Sequence, residues 1–323
     1  MKIKDEILSL LKKGKNLLAF SYGSDSSALF HLLVQEKINF DLVMINYKTR
    51  KNSVLEEKSA KELALKFNKK IFIAHAPKFE NNFEKQARDF RYEFFEKICL
   101  EKNYENLILA HHLNDVFEWF LMQLSRGAGL AEILGMNEFE KRKNYNIIRP
   151  LLGISKDEIK TFLKQNEIFY FNDESNEDEK YFRNYIRKHF SNDFVSKFSE
   201  GLKRSFVYLN EDKNKLFKNE IKEFKGILIC AKDESLIAKA LKMQGIVPSA
   251  KQRKEMLKND CVISSKIAVV YKDEKAFVFK YENCEKLPKI FKEECRLAKM
   301  PKFLRAYFYN HGILPNEFLS FWA

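Results

Sequence analysis

The chain has 323 residues, 45% of them hydrophobic, which is enough for two domains or for one large domain with an appendage. Its 58 Lys/Arg outweigh 45 Asp/Glu by +13, and unevenly: from residue 191 onward 26 basic residues face 17 acidic ones. This surplus suits a polyanionic partner, nucleic acid first, although a composition rich in Lys, Phe, Asn and Ile explains it equally well. No apolar run approaches 18 residues, so no membrane span is expected, and five cysteines without a C-x-x-C pair speak against a disulfide framework or a thiolate metal site.

The opening "MKIKDEILSLLKKGKN" is charged throughout and predicts an amphipathic helix rather than a signal peptide, so a soluble cytoplasmic protein is expected. Short apolar runs then alternate with helical patterns. "NLLAF" leads into "SSALFHLLVQ", "FDLVMINY" into "SVLEEKSAKELALKF", "KIFIAHA" into a long helix over 83–102, and "NLILAHH" into "NDVFEWFLMQLSR". Near-continuous apolar strands separated by helices predict an α/β fold with a doubly wound parallel sheet. Ligands of such sheets gather beyond the C-terminal strand ends. The unusual residues lie there, at 21–26, 48–50 and 111–115.

From Ser155 the alternation stops. Ser155 with Glu158 three residues on is a capping-box signature for a helix over "SKDEIKTFLKQNEI". A polar loop, "NDESNEDEKYFRNYIRKHF", follows, and then a charge-rich helical stretch over 191–223 that reads as a linker. Beyond it "GILICA" predicts a strand, "ESLIAKALKMQ" and "SAKQRKEMLK" helices, and "CVISSKIAVVYKDEKAFVFKY" a hairpin turning near 272–274. The expected domains are a catalytic one over 1–190, the linker over 191–223 and a small basic α+β domain over 224–323.

The stretch "SYGSDSS" sits at the first strand-to-helix turn. Ser21, Gly23, Ser24 and Ser26 offer hydroxyls and backbone N–H groups there, and a helix N-terminus adds partial positive charge, which together make an anion site. Asp25 would repel phosphate unless a divalent metal lies between them. The pattern G-x-x-x-x-G-K-[ST] is absent, and by itself the stretch is equally a polar turn with a helix cap.

Ser21, Tyr22, Gly23, Ser24, Asp25 and Ser26 nevertheless resemble the S-G-G-x-D-S pyrophosphate loop of the N-type ATP pyrophosphatases, with Tyr22 in place of the first glycine. Three further segments narrow the resemblance: "EKQARDFRYEFF" with Gln86, Arg88, Arg91 and Tyr92; "LAHHLNDVFEWFLMQLSRGAG" with His111, His112, Asp115, Glu118, Arg126 and Gly127; and "IRPLLGISKDEI" followed by Asp173, Ser175, Asn176, Arg183, Asn184 and Arg187. In this order, over about residues 15–190, they look like the tRNA(Ile)-lysidine synthetase family. That family's A-H-H-x-D-D reads here Ala110-His111-His112-Leu113-Asn114-Asp115, so the first aspartate is Asn114.

The resemblance implies an ATP- and Mg²⁺-dependent ligase joining L-lysine to the two-position of the wobble cytidine in the CAU anticodon of an isoleucine tRNA, with AMP and pyrophosphate released. It implies that residues 21–26 hold ATP, with Asp25 toward Mg²⁺, and that Asp25, Arg91, Asp115 and Glu118 are catalytic. Asp115 and Glu118 are implied for lysine binding or metal support, and His112, Arg183 and Arg187 for lysine, phosphate or tRNA contact. The basic C-terminal third would hold the tRNA. Such a fold is compatible with a homodimer. Zinc at the His111–His112 pair is disfavoured, because adjacent residues at a strand end point to opposite faces. Two rival functions stand beside this one: a tRNA thiolase, which would want the C-x-x-C cysteines missing here, and an RNA-binding protein with a decayed ATP site, to which Tyr22 and Asn114 point.

Overall fold

In the computed structural model, which describes residues 1–48, 53–79, 83–172, 180–216, 221–284 and 286–321, the four apolar runs become parallel strands. These are β1 (Asn16–Ala19), β2 (Phe40–Asn46), β3 (Ile71–His75) and β4 (Asn106–Ile108). Between and around them run α1 (Asp5–Lys13), α2 (Ser24–Gln35), α3 (Ser53–Lys66), α4 (Phe83–Lys102), α5 (Leu113–Leu124) and the single turn α6 (Leu130–Ile133). Two three-residue strands that the sequence reading did not single out follow, β5 (Phe139–Lys141) and β6 (Asn146–Ile148), before α7 (Lys156–Gln165).

The sheet order is β3-β2-β1-β4-β6-β5, parallel except for the antiparallel edge strand β5. Winding therefore reverses between β1 and β4, and a crevice opens at their C-terminal ends. Successive strand residues serve opposite cores, as a period of two requires. Leu17, Val43, Leu107 and Ile147 pack with Phe95, Ile98 and Cys99 of α4. Leu18, Leu42, Ile108 and Ile148 pack with α1, α2 and α7 on the other face. Each such fully buried aliphatic side chain contributes about 1.5–3 kcal/mol.

At the opposite end of the sheet Asn16, Asn106 and Asn146 stand in register on three adjacent strands. The amide of Asn106 donates to Asn16 Oδ1 at 3.0 Å and that of Asn146 to Asn106 Oδ1 at 3.1 Å. This ladder explains Gly14: a Cβ there would overlap the Asn106 amide. It pins the N-terminal strand ends, and so fixes where the opposite ends present the site.

The chain continues through α8 (Phe182–Ile186), a π-helical turn (Arg187–Ser191) and α9 (Asn192–Leu216), which is kinked at Phe198. Val195 and Phe206 of α9 are buried with Leu113 and Phe117 of α5, so this part of the stretch read as a linker belongs to the first body's packing. Two compact units result, Met1–Lys213 and Asn214–Ala323.

The second unit is a five-stranded antiparallel sheet in the order β7-β8-β11-β10-β9, formed by β7 (Lys222–Phe224), β8 (Ile227–Ala231), β9 (Cys261–Ile263), β10 (Ile267–Lys272) and β11 (Lys275–Lys280). The expected hairpin turns between β10 and β11, and its N-terminal part is a separate strand, β9, joined through Ser264 and Ser265, both with positive φ. Helices α10 (Glu234–Met243) and α11 (Ala250–Met256) cover one face. Helices α12 (Lys289–Leu297) and α13 (Lys302–Asn310) cover the other, joined there by Phe318 of the last helical turn. The final Trp322 and Ala323 lie outside the described residues.

Candidate active site

The turn between β1 and α2 is built by its serines. Ser26 Oγ donates to the Gly23 carbonyl at 3.2 Å, accepts from the Ser21 amide at 3.3 Å, and lies 3.2 Å from Ser21 Oγ. This closes the loop so that the first amides of α2 face outward, as an anion site requires. Tyr22 takes φ +59°, the left-handed region that glycine would fill most easily. Its ring turns into the core against Phe20 and Phe171, with centroids 5.1 and 5.3 Å away, and is 8% exposed. Its carbonyl accepts from the Phe171 amide at 3.0 Å. The ring therefore points away from the crevice, whose lining takes Ser21 and Gly23 on either side of Tyr22 but not Tyr22 itself.

A cavity of about 900 Å³ opens above this loop. Its walls carry Ser21, Gly23, Ser24, Asp25 and Ser26 from the loop and Arg88, Arg91 and Tyr92 from α4. Five cations (Arg88, Arg91, Lys156, Lys160, Arg187) face two carboxylates (Asp25, Asp115) across it, a balance that suits a polyphosphate. Among the described residues, buried Arg91 Nε has no hydrogen-bond partner, so it is a donor that a ligand in the cavity can use. Arg88 lies over the Tyr92 ring at 4.9 Å. His111 lines the same wall and accepts from Arg149 Nε at 3.3 Å. Burial pushes its imidazole down to about 4, so it is neutral at pH 7.

A second cavity of about 380 Å³ shares Asp25, Asp115, Lys156, Lys160, Arg187 and Asn192 with the first. Here the balance is reversed: Asp25, Asp115, Glu118, Asp157 and Asp193 outnumber Lys156, Lys160 and Arg187. His112 stands between the two acids, Nε2 at 3.7 Å from Asp25 and 3.5 Å from Asp115. Burial opposes its charge, but the carboxylates of Asp115 and Asp25 outweigh burial and raise its pKa. Desolvation would likewise raise Asp25; His112 and Lys156 prevail and hold it below the usual carboxylate value.

Asp115 and Glu118 do come together on one face of α5, as their spacing predicts, and Arg183 and Arg187 close on them. Arg183 donates to Asp115 Oδ1 at 2.5 Å and Glu118 Oε2 at 2.8 Å. Arg187 donates to both Glu118 oxygens, at 2.8 and 3.0 Å. The other Asp115 oxygen accepts the His112 amide at 2.9 Å, capping α5. Both Asp115 oxygens are therefore engaged by the chain itself. Asp25, partly exposed at the start of α2, is the carboxylate that fits Mg²⁺, an ion usually held by one or two carboxylates together with phosphate oxygens.

Among the described residues no three His, Cys, Asp or Glu side chains are grouped to hold a metal, and the adjacent His111 and His112 line different cavities. Gln86, Arg126 and Gly127 border neither cavity. Arg50, Asp173, Ser175 and Asn176 lie outside the described residues. The side chain missed from the sequence is Lys156. In sequence it reads only as the first helical residue behind the Ser155 cap, which forms as expected, Glu158 accepting from the Ser155 amide at 2.8 Å. The available signal was electrostatic: a lysine at a helix N-terminus opposes the helix dipole at about 0.3–1 kcal/mol. Lys156 Nζ instead donates to Asp25 Oδ1 at 2.5 Å and Ser24 Oγ at 2.7 Å.

Residues 1–193 match the family described as a PP-loop domain, ATP_bind_3, and the chain is a PP-loop protein. Among solved structures it is similar to a U34-tRNA thiolase, NcsA, from Methanococcus maripaludis, with a TM-score of 0.51 and 19% identity over 65% of this chain and 78% of that one, a likeness of fold. Among curated proteins it is 75% identical to the tRNA(Ile)-lysidine synthase of Campylobacter jejuni strain RM1221, over 97% of this chain and 98% of that one. The tRNA(Ile)-lysidine synthase of Helicobacter pylori strain J99 is 41% identical over 94% and 91% of the two chains. The chain belongs to the tRNA(Ile)-lysidine synthase family.

Proposed function

We propose that the protein ligates L-lysine to the two-position of the wobble cytidine in the CAU anticodon of an isoleucine tRNA, changing its codon from methionine to isoleucine. The observation that carries this reading is the pair of joined cavities: a cation-rich one over the phosphate loop for ATP, and an acid-rich one for the lysine ammonium. Family membership supports the same substrates. The rival thiolase lacks support from the cysteines, since Cys99 is buried on the sheet-facing side of α4 with its thiol pushed up to about 12 by burial.

In the first step the cytosine O2 attacks the α-phosphorus of ATP, an O–P bond forms, and pyrophosphate leaves. Charge develops on the leaving oxygens, so preorganised amides of residues 23–26, with Arg91 and Lys156, lower the barrier. Mg²⁺ held at Asp25 would neutralise further phosphate charge. In the second step the lysine ε-amine, having lost a proton, attacks C2; a C–N bond forms, the C–O bond breaks, and AMP departs. Asp115 and Glu118, locked by Arg183 and Arg187, give the acid-rich cavity a fixed wall, and His112 joins it to Asp25. Lys and Arg side chains of the basic second unit contact tRNA phosphates, in the cytoplasm where tRNA is processed.

The test is AMP release with purified protein, ATP and Mg²⁺, omitting tRNA or lysine in turn. Release requiring both is expected. AMP formed equally without lysine, or only with a sulfur donor, contradicts the proposal.

A further inference from the structure

We propose that Lys156 is an exchangeable counter-cation of the phosphate loop: it neutralises Asp25 while the loop is empty, yields Asp25 to the metal arriving with ATP, and then meets the phosphate oxygens. This rests on the ATP reading of the larger cavity.

Four observations carry it. Lys156 Nζ bonds two loop side chains at once, Asp25 at 2.5 Å and Ser24 at 2.7 Å, and so occupies the place a cation facing that carboxylate would take. It lines both cavities and is about a quarter exposed, on a four-carbon stem that can swing without moving the backbone. Its backbone is fixed: the Lys156 amide donates to Asn114 Oδ1 at 3.0 Å, and Asn114 is buried. Asn114 thus holds the first turn of α7 with a neutral amide, adding no further negative charge to the five carboxylates of the smaller cavity. Finally, Asp25 cannot face phosphate uncompensated, and of the two groups beside it Lys156, at 2.5 Å, is nearer than His112, at 3.7 Å, and has the flexible stem that can move. A purely architectural bridge between α2 and α7 would need the contact too, but not the exchange.

The exchange makes Lys156 and the metal competitors for Asp25, which metal binding alone reads without turnover. Mn²⁺ is titrated into the full chain, without nucleotide, and followed by its paramagnetic resonance. Lys156→Met, which keeps the stem and loses the charge, is expected to bind Mn²⁺ about fivefold or more tightly than the parent, and Asp25→Asn with Lys156→Met to lose that gain. With Mg²⁺ and both substrates, Lys156→Met is expected to lose about 100-fold in kcat/KM for ATP, as when one preorganised donor is removed. KM for lysine is expected within twofold of the parent. Thermal unfolding checks that each variant is folded, and Lys156→Gln replaces Lys156→Met should the latter not fold. Unchanged Mn²⁺ affinity in a folded variant overturns the exchange, whatever happens to turnover. Tighter Mn²⁺ binding with undiminished kcat/KM for ATP overturns the phosphate contact. Should the parent release no AMP with tRNA and lysine, the proposed reaction falls, and the Mn²⁺ comparison still judges Lys156.

Discussion

Tyr22 sets two effects of different size against each other. Its left-handed backbone costs an L-residue about 1–2 kcal/mol. Its ring, buried among Phe20, Phe169 and Phe171, is a larger asset, since truncating a buried aromatic costs about 3–5 kcal/mol. Packing wins, so the position tolerates tyrosine where the family pattern has glycine. Tyr22→Gly, although it restores that pattern, is expected to destabilise the protein by about 2–3 kcal/mol in urea unfolding. Tyr22→Ala, which keeps the strain and loses the ring, should be about 1 kcal/mol worse still. Equal values for the two variants would show that the φ angle carries no strain. The two neighbouring histidines respond to pH in opposite senses. His111 is held down at about 4 by burial, so its contribution is present above the ordinary histidine value of about 6.5 and is lost as pH falls toward 4, by at most about 3 kcal/mol. His112, raised by Asp115 and Asp25 against burial, contributes fully below the ordinary value and loses that contribution as pH rises through its folded pKa. His111→Gln should therefore flatten the fall in stability between pH 6.5 and 5, and an unchanged slope would refute the neutral buried imidazole.

Ion pairs join helix α5 to α8 and to the turn after it. Glu118 is fully buried between Arg183 and Arg187, and removing one partner from such a cluster leaves buried charge behind, at about 3–5 kcal/mol. Glu118→Ala is expected to lower stability by that amount and to open residues 182–191 to proteolysis. Protection equal to that of the parent would mean that α8 is held elsewhere. The strands and the long helices of the first unit were legible from apolar periodicity, α4 over 83–102 included. The three-residue strands β5 and β6 were not, because so few residues show no period. Helices α12 and α13 lie beyond the hairpin, where the sequence reading placed no element; their aromatics cover the second sheet. In the site, the motif residues around the loop and α5 were legible. Lys156 was not, since its partner Asp25 lies 131 positions away and local patterns carry no such pairing.

At the scale of the whole molecule, a parallel sheet whose winding reverses at β1/β4 presents the loop, α5 and α7 around one crevice, while a separate basic unit follows. With a net charge of +13, tRNA affinity should fall steeply with salt, about a thousandfold between 50 and 200 mM for six phosphate contacts. A flat salt response would remove the role given to that charge. The central claim is the chemistry at the wobble cytidine. Isoleucine tRNA transcript incubated with protein, ATP, Mg²⁺ and labelled lysine, then digested to nucleosides and analysed by mass spectrometry, should yield one cytidine per tRNA joined to lysine with loss of its two-position oxygen. Cytidine left unmodified, or carrying sulfur in that position, would contradict the account.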